Sequence, residues 1–242
     1  MNPKLKGLIV SDNPALSQFV IEIASTYDLP LDLAFTRSLR TGSAMELLGA
    51  KQVDIKSQKC IDEIVSVYDF VLSVHCNQIF PQSLYERVAC FNLHPGLNPH
   101  NRGWYPQVFS ILNNLPIGAT LHRINSRIDG GPVVTQVEVP TFSSDTSLEI
   151  YNRIQTAEQK ILFEMLPKLC TPNFEHIETL IPEGNYNSKE DFRKLCCLDL
   201  NDKGTLKDHI DLLRALTHGD FKNAYFEDEN GHRVYVKIEF EK

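Results

Sequence analysis

Asn92 and His94 place an amide and an imidazole two residues apart in an apolar run that ends at Pro95. Alternate residues of a β-strand point to the same face, so these two side chains should share one face while Phe91 and Leu93 point to the other. Proline has no N–H to donate to a neighbouring strand and should end the strand here. The pattern therefore predicts two polar side chains at a strand end, which is typical of a built site.

A carboxylate, Asp129, follows on the glycine-rich turn Arg127-Ile128-Asp129-Gly130-Gly131. An amide, an imidazole and a carboxylate together can stabilise an oxyanion and move a proton. Asn92 would donate from its amide, whereas two roles are open for His94. It could donate as a cation, which a nearby Asp129 would favour, or accept a proton as a neutral base. Each of these residues alone is more often structural, so the prediction depends on their convergence.

The flanking sequence alternates between strand-like and helix-like segments. The predicted strands are residues 7–11, 31–35, 53–55, 70–74, 90–93, 118–124 and 132–139. Helices are predicted after Asp12 or Asn13 with Pro14 in the first turn, over 43–48 and 103–113, and after Thr146 or Ser147. This alternation predicts an α/β fold, an open, mostly parallel, Rossmann-like twisted sheet flanked by helices. Ligands of such sheets bind beyond the carboxyl ends of the strands, where Asn92 and His94 fall.

The C-terminal part of the chain has a different pattern. Residues 172–186 are predicted to form an irregular connector. Beyond it, Ser188 and Thr205 can cap two short helices, and Gly219 can end the second. Asn230-Gly231 lies between alternating segments and is a strong signal for a β-hairpin.

These patterns predict a catalytic domain over residues 1–185 and a small helix-plus-hairpin subdomain over residues 186–242. The last segment alternates apolar and polar residues, so one face of it is apolar. A small edge element of this kind can pair with a second copy of the chain, and we expect a homodimer. The apolar residues are Val234, Val236, Ile238 and Phe240.

Bulk properties exclude several classes of protein. The net charge of −7 and the lack of a long basic run argue against a nucleic-acid partner. The first residues form only a short apolar run, and residues 70–74 are too few to span a bilayer, so no membrane partner is expected. Six cysteines without a Cys-x-x-Cys pair indicate free thiols in the cytoplasm. The histidines show no metal-ligand spacing, and no metal is predicted.

Two blocks of the sequence resemble a known family. Asn92-Leu93-His94-Pro95-Gly96-Leu97-Asn98-Pro99 resembles the Asn-x-His-Pro segment of the folate-dependent formyltransferases. Gly118-Ala119-Thr120-Leu121-His122, followed by Ile128-Asp129-Gly130-Gly131-Pro132, resembles the second block of that family. The segments 98–109 and 213–225 are similar to the branch that formylates amino groups on nucleotide-linked dideoxy sugars.

The resemblance implies a reaction and its substrates. The formyl donor would be N10-formyltetrahydrofolate, and Asn92, His94 and Asp129 would be the catalytic residues. The acceptor would be a dTDP-linked amino-dideoxy sugar. The 4-amino-4,6-dideoxyglucose derivative is favoured, and a 3-amino-3,6-dideoxy sugar is the alternative. The product would enter surface polysaccharide synthesis, such as that of the lipopolysaccharide O-antigen.

Further residues are candidates for binding these substrates. For the folate, the candidates are His75, Gln78, Ile79, Phe80 and Asp129, since flat apolar walls and amides bind heterocycles. For the sugar nucleotide, they are Arg102, Trp104, Tyr105, Phe221, Asn223 and Tyr225, which could bind a diphosphate or stack on a base. The alternative for each is a structural role, as a solvated strand end, helix-start packing, a surface cap or a hairpin core.

Other functions stay open at this point. Glycinamide ribonucleotide transformylases share the second block, but they use a glycine-rich phosphate loop after the first strand. Here Ser11-Asp12-Asn13-Pro14 stands in that place. Methionyl-tRNA formyltransferases carry a larger RNA-binding C-terminal domain, whereas residues 187–242 hold more acidic than basic residues. Hydrolysis of the formyl donor and an inert folate- or nucleotide-binding module are the remaining alternatives.

Overall fold

The computed structural model describes residues 3–36, 41–172 and 179–241. Seven strands in this part of the chain form one sheet. They are β1 (Gly7–Ser11), β2 (Leu31–Phe35), β3 (Lys51–Gln52), β4 (Phe70–Val74), β5 (Ala89–His94), β7 (Ile117–Arg123) and β8 (Val133–Val139). Four short strands form two further pairs, β6 (Arg102–Gly103) with β9 (Tyr186–Asn187) and β10 (Tyr225–Glu227) with β11 (Arg233–Tyr235).

The strand order of the large sheet is β3-β2-β1-β4-β5-β7-β8. The pairs from β3 to β5 are parallel, whereas β5 and β7 are antiparallel. The chain moves outward from β1 to β3 and then returns to place β4 on the other side of β1. This reversal creates a topological switch point between β1 and β4, where open α/β sheets bind ligands. The predicted open, mostly parallel α/β sheet is confirmed.

Helices connect and cover the strands. They are α1 (Pro14–Tyr27), α2 (Gly42–Leu47), α3 (Gln58–Val67), α4 (Gln82–Tyr85), α5 (Pro106–Asn113), α6 (Ser147–Leu169), α7 (Lys189–Cys196) and α8 (Leu206–Leu216). The predicted caps of three of them are present. Asn13 accepts a hydrogen bond from Leu16 N at the start of α1, and Ser188 and Thr205 form capping boxes at the starts of α7 and α8.

The central strands are buried along their whole length, as expected for a parallel sheet covered on both faces. Every residue of β1 and β4 is buried. One apolar cluster includes Leu8, Val71 and Cys90 from three neighbouring strands, with Ile61 of α3 and Leu84 of α4 packed against them. This packing fixes the carboxyl ends of β1, β4 and β5, where the polar side chains project.

The structure shifts two predicted elements for local reasons. The edge strand is Lys51–Gln52 rather than 53–55, because Asp54 opens a turn in which its carboxylate accepts from Lys56 N. Helix α5 begins at Pro106 rather than residue 103. Gly103 instead lies in β6 with a φ of +91°, and an added Cβ there would lie 2.5 Å from Asn187 O.

Other elements extend the prediction. Helices α3 and α4 were not predicted, although Ile61 and Ile64 have the spacing of a buried helical face. The hairpin is present, but residues 228–232 connect its strands, so its loop is longer than a two-residue turn. Part of the predicted connector, residues 173–178, lies outside the described residues.

The chain divides into two compact units. One comprises residues 1–94, 120–136 and 158–181, and it contains most of the large sheet. The other comprises residues 95–119, 137–157 and 182–242, with α5, α7, α8 and the hairpin. In the second unit α5 packs against α8. Among the described helices, none combines the length and the hydropathy that crossing a membrane requires.

Candidate active site

The first site residues lie at the carboxyl end of β5 in the first unit. This strand is held on both sides, parallel to β4 through Val74 opposite Leu93 and antiparallel to β7 through Thr120 opposite His94. Phe91 and Leu93 are buried in the core, as the alternation predicts. The opposite face carries Asn92 and His94, and two rigid neighbouring strands therefore fix the backbone that presents them.

Asp129 is presented by the turn between β7 and β8. Its φ of +46° lies in the left-handed region, which aspartate tolerates better than most residues. Gly131 lets the chain return close to β7, because an added Cβ would lie 1.8 Å from Arg123 O. Arg123 N then donates to Pro132 O at 2.8 Å, which closes the turn. The turn therefore holds the carboxylate in one place.

The structure brings Asn92, His94 and Asp129 together. Asn92 Nδ2 donates to Asp129 Oδ1 at 3.0 Å, and His94 Nδ1 lies 3.6 Å from Asp129 Oδ2. The side chains of His94 and Asp129 are only 4% and 13% exposed. Charges interact more strongly in such a partly desolvated place than in water. One carboxylate therefore contacts both the amide and the imidazole.

Sequence reasoning missed a fourth residue, His122 on β7. It lies directly opposite Asn92 in the antiparallel pair, and its ring is 2% exposed. His122 Nε2 is 3.2 Å from Asn92 Nδ2 and 3.4 Å from Asp129 Oδ1. A signal was present, because Thr120 and His122 are polar residues at alternate positions of an otherwise apolar strand.

The contact of His122 with the backbone identifies the tautomer of its neutral ring. Its Nδ1 lies 2.9 Å from Arg123 O, and a carbonyl oxygen can only accept, so Nδ1 carries the hydrogen. In the neutral ring Nε2 is then an acceptor for the second hydrogen of Asn92 Nδ2. Because His122 Nε2 and Asp129 Oδ1 are both acceptors, the Nδ2 of Asn92, and not its Oδ1, faces them.

This arrangement suits acyl transfer between nucleophiles. A tetrahedral oxyanion needs donors that are oriented before the reaction, and an amide and an imidazole are groups that can supply them. The carboxylate can accept a proton directly or through a water. Within the described residues, no cluster of three or more histidine, cysteine or acidic side chains is placed to hold a metal ion.

The predicted folate residues follow β4 in the same unit. His75 has its ring nitrogens next to Glu158 and Asn13. Gln78 Oε1 is buried and has no hydrogen-bond partner among the described residues. Ile79 is 68% exposed, whereas Phe80 is 5% exposed and belongs to the apolar core. Phe80 would therefore contribute mainly its backbone to a ligand.

Three predicted sugar-nucleotide residues lie together in the second unit. Arg102 is buried, and its Nη2 donates to Gly184 O at 3.2 Å. Trp104 has Lys189 Nζ 3.6 Å from its ring centroid. Tyr105 stacks on Phe192 with ring centroids 3.9 Å apart, and burial raises the pKa of its hydroxyl. The structure thus packs Trp104 and Tyr105 against α7.

The other three predicted residues lie after α8. Phe221 is 61% exposed and contacts the edge of His218. Asn223 donates from Nδ2 to Leu216 O at 2.9 Å, and Tyr225 has the guanidinium of Arg233 over its ring at 4.3 Å. Phe221 therefore offers the most exposed ring of the three for stacking. The binding roles of these three residues, and of Arg102, Trp104 and Tyr105, stay predictions.

Comparison with known proteins gives a consistent result. Residues 31–166 match the family model described as "Formyl transferase", and residues 191–242 match "N-formyltransferase dimerization C-terminal domain". The chain is 41% identical over 196 residues to the dTDP-4-amino-4,6-dideoxyglucose formyltransferase of Mycobacterium tuberculosis, which covers 81% of this chain and 82% of that protein.

Two solved structures share the whole architecture. A sugar N-formyltransferase from Shewanella sp FDAARGOS_354 is 43% identical with a TM-score of 0.93, and 98% of each chain is covered. A 4-N formyltransferase from Francisella tularensis is 36% identical with a TM-score of 0.89, again over 98% of each chain. Residues 31–166, which match the "Formyl transferase" family, include Asn92, His94, His122 and Asp129. The chain belongs to the formyl transferase family.

Proposed function

We propose that this protein transfers a formyl group from N10-formyltetrahydrofolate to the amine of dTDP-4-amino-4,6-dideoxyglucose. The observation that supports it most is the convergence of Asn92, His94 and Asp129 in a chain of the formyl transferase family. The Asn92 amide and the His94 imidazole each lie within 3.6 Å of the Asp129 carboxylate. The chemistry of these groups fits the formation and collapse of one tetrahedral intermediate.

The sugar amine attacks the formyl carbon, a C–N bond forms, and the carbonyl π electrons move to oxygen. His94 donates to this oxyanion. Asn92 donates as well, with the hydrogen that points toward His122 Nε2, which the oxyanion and the imidazole then share. Asp129 takes the proton from the new ammonium, directly or through a water, and passes it to N10. The bond from carbon to N10 then breaks, which releases tetrahydrofolate and the formamide.

The turn after β1 argues against glycinamide ribonucleotide as the acceptor. Asp12 is 6% exposed, and its carboxylate accepts hydrogen bonds from Thr36 N, Thr36 Oγ1 and Asn77 N. A phosphate at this turn would meet a buried negative charge rather than free backbone donors. The 4-amino sugar is favoured because the relative with 41% identity acts on it by name, and a 3-amino-3,6-dideoxy sugar is the second candidate.

The second unit supplies the proposed acceptor site and the proposed dimer interface. Residues 186–242 include Phe221, Asn223 and Tyr225, which we assign to the nucleotide, with Arg102, Trp104 and Tyr105 assigned to the diphosphate and sugar. The dimerization description of residues 191–242 supports a homodimer formed by this segment. Exposed apolar residues of the hairpin, Val234 and Tyr235, are suited to such an interface.

The proposed setting is the cytoplasm. All six cysteines are free thiols, which suits a reducing compartment. Both the folate and a nucleotide-linked sugar would be available there. The formamido sugar would then be consumed by the glycosyl transfer reactions that build a surface polysaccharide, such as the lipopolysaccharide O-antigen.

The test is to incubate the purified protein with N10-formyltetrahydrofolate and one acceptor at a time. The acceptors are dTDP-4-amino-4,6-dideoxyglucose, dTDP-3-amino-3,6-dideoxyglucose and glycinamide ribonucleotide, with a reaction lacking any acceptor as the control. Mass spectrometry should find formylation of the 4-amino sugar with the highest kcat/KM. Preference for either other acceptor contradicts the assignment, and formate release without an acceptor identifies a hydrolase.

The dimer has its own test. Sedimentation at micromolar concentration should give twice the chain mass of 27.5 kDa. A species of the single-chain mass would contradict the proposed interface.

A further inference from the structure

The switch point of the large sheet holds a polar network that the proposed mechanism does not use. Ser11 and Val74 are paired at the carboxyl ends of β1 and β4. Asp12 and Asn13 follow β1, and His75 follows β4. Ligands of open α/β sheets bind in this crevice. Its side chains therefore lie where a bound substrate would be affected by their placement.

His75 is held by side chains on both of its ring nitrogens. His75 Nε2 lies 2.7 Å from Glu158 Oε1, and His75 Nδ1 lies 3.3 Å from Asn13 Nδ2. Asn13 Oδ1 accepts from Leu16 N as the cap of α1, so the amide must present its N–H to the imidazole. Nδ1 is then the acceptor, and Nε2 carries the hydrogen that Glu158 accepts.

The carboxylate in this network is unusual in its burial. Glu158 is 0% exposed in the middle of α6, and its Oε2 has no hydrogen-bond partner in the described part of the chain. A carboxylate removed from water is costly unless its partners compensate, and an apolar residue is often at least as stable in such a place. Stability of the fold is therefore a poor reason for a glutamate at this position.

His75 itself has a strained backbone. Its φ is +57°, in the left-handed region that non-glycine residues rarely adopt, and such conformations persist when surrounding contacts determine them. Glu158 and Asn13 hold its ring nitrogens by hydrogen bonds. Two residues later, Asn77 N donates to Asp12 Oδ2 at 2.7 Å. The start of the loop is thus held from two sides.

Beyond these contacts the loop carries one exposed apolar side chain and one buried acceptor. Ile79 is 68% exposed, and Gln78 Oε1 is a buried acceptor without a partner among the described residues. An apolar side chain beside an unfilled acceptor suits a flat heterocycle with an N–H on its edge. The register Val74 opposite Leu93 places this loop next to the strand end that carries His94.

We infer that Glu158 and Asn13 are positioning residues, which hold His75 and thereby fix the loop Cys76–Ile79 in the conformation that binds the pteridine end of the formyl donor. This inference rests on the proposed function, since it takes the donor to be a folate. Neither residue needs to touch the donor. Their loss should weaken donor binding and leave the acceptor site and the chemical step intact.

The experiment compares Glu158→Leu with Glu158→Gln. Leucine removes the acceptor for His75 Nε2, whereas glutamine keeps an oxygen in its place. Glu158→Leu should raise the KM for N10-formyltetrahydrofolate about tenfold or more, as expected when a buried hydrogen-bonded charge that orients a binding loop from outside is removed. Glu158→Gln should restore most of the affinity. The KM for the dTDP-sugar and kcat at saturating donor should change little in both.

Two further variants control for folding. Glu164→Leu changes an exposed glutamate on the same helix and should leave both KM values unchanged. Asn13→Ser keeps a good cap for α1 but removes the amide that donates to His75, so the donor KM should rise while the melting temperature stays near wild type. This second route keeps the inference testable if Glu158→Leu does not fold.

Calorimetry with 5-formyltetrahydrofolate gives a readout without any acceptor. The dissociation constant for this unreactive analogue should rise in Glu158→Leu and Asn13→Ser as the donor KM does. Unchanged affinity in folded variants, or equal increases in the KM for both substrates, would overturn the inference. A wild-type protein that binds the analogue but formylates no sugar nucleotide would instead overturn the proposed acceptor. The dissociation constants of wild type and variants for the analogue would then decide the role of Glu158.

Discussion

Asn92 of β5 and Asp129 of the turn between β7 and β8 are joined by a 3.0 Å hydrogen bond from the amide to the carboxylate. The same carboxylate lies 3.6 Å from His94 Nδ1. Asp129 therefore orients the amide and places a negative charge beside the imidazole. In the proposed mechanism both effects act on the donors to the oxyanion, and substitutions can separate them.

Asp129→Asn removes the charge and keeps the shape. Asparagine tolerates the left-handed backbone of this turn, and its Oδ1 can still accept from Asn92. Because the proton acceptor is lost, kcat should fall by about 10²- to 10⁴-fold, the range for general acid–base catalysis. Binding of 5-formyltetrahydrofolate, measured by calorimetry, should stay close to wild type. Asp202→Asn, a change at an exposed position, is the matched control; a kcat within a few-fold of wild type in Asp129→Asn would exclude the proton-transfer role.

His94→Ala and His94→Gln separate donation from proton abstraction. Alanine removes an oxyanion donor, which should lower kcat by about 10²- to 10³-fold. Glutamine still offers an N–H but cannot act as a base. If His94 donates, steady-state kinetics should find His94→Gln clearly more active than His94→Ala. Equal loss in the two variants would instead favour the neutral-base role.

The sequence was informative about the chain's local geometry. The apolar runs of β1, β2 and β4 predicted their bounds, because each strand is short and limited by a proline, a turn residue or a cap. The alternation in β5 likewise placed Asn92 and His94 on one face. What local pattern could not supply is pairing between distant segments.

His122 and Glu158 illustrate that limit. His122 becomes part of the site only because β7 runs antiparallel to β5 in a register that puts it opposite Asn92. Glu158 contacts His75 across 83 positions of the chain. Its spacing from Ile154 and Ile161 puts it on the buried face of α6, but the pattern of that helix does not indicate its partner. The edge strand was wrong for a local reason, since the turn at Asp54 outweighed the apolar residues that flank it.

His122 should act through Asn92. In His122→Ala the amide loses the acceptor that holds its second hydrogen, so it can rotate away from the oxyanion. A misplacement on the scale of an ångström costs on the order of 10²-fold in rate, so we expect kcat to fall by about 10- to 100-fold with both KM values nearly unchanged. His122→Gln, which offers an oxygen near the position of Nε2, should recover part of the loss.

The exposed His232 provides the control, because His232→Ala removes an imidazole outside this site. The measurement is steady-state kinetics with both substrates varied. A His122→Ala variant with a raised KM and an unchanged kcat would contradict the positioning role of His122.

Asp145 anchors the start of α6 in the second unit, and its substitution should change stability in a pH-dependent way. Arg153 donates to both of its carboxylate oxygens at 2.6 and 2.7 Å, and Phe142 N donates at 2.6 Å. Burial alone would raise the pKa of Asp145, but these hydrogen bonds outweigh burial and hold the pKa below its ordinary value of 3.8. A lowered carboxyl pKa stabilises the fold above the unfolded pKa, and this contribution is lost as the pH falls through the folded value.

Asp145→Asn should therefore lower the free energy of unfolding at pH 7 by about 2 kcal/mol. This value is typical of hydrogen bonds to a charged group, and the partial exposure of Arg153 keeps it from being larger. Urea denaturation over a pH series should find the difference from wild type shrinking as the pH falls below 3.8, the ordinary pKa at which the unfolded carboxyl protonates, toward the lower pKa of the folded state. The exposed Asp202→Asn should show no such trend. A difference that stayed constant down to the lowest pH at which both proteins fold would mean that Asp145 acts through packing and not through its charge.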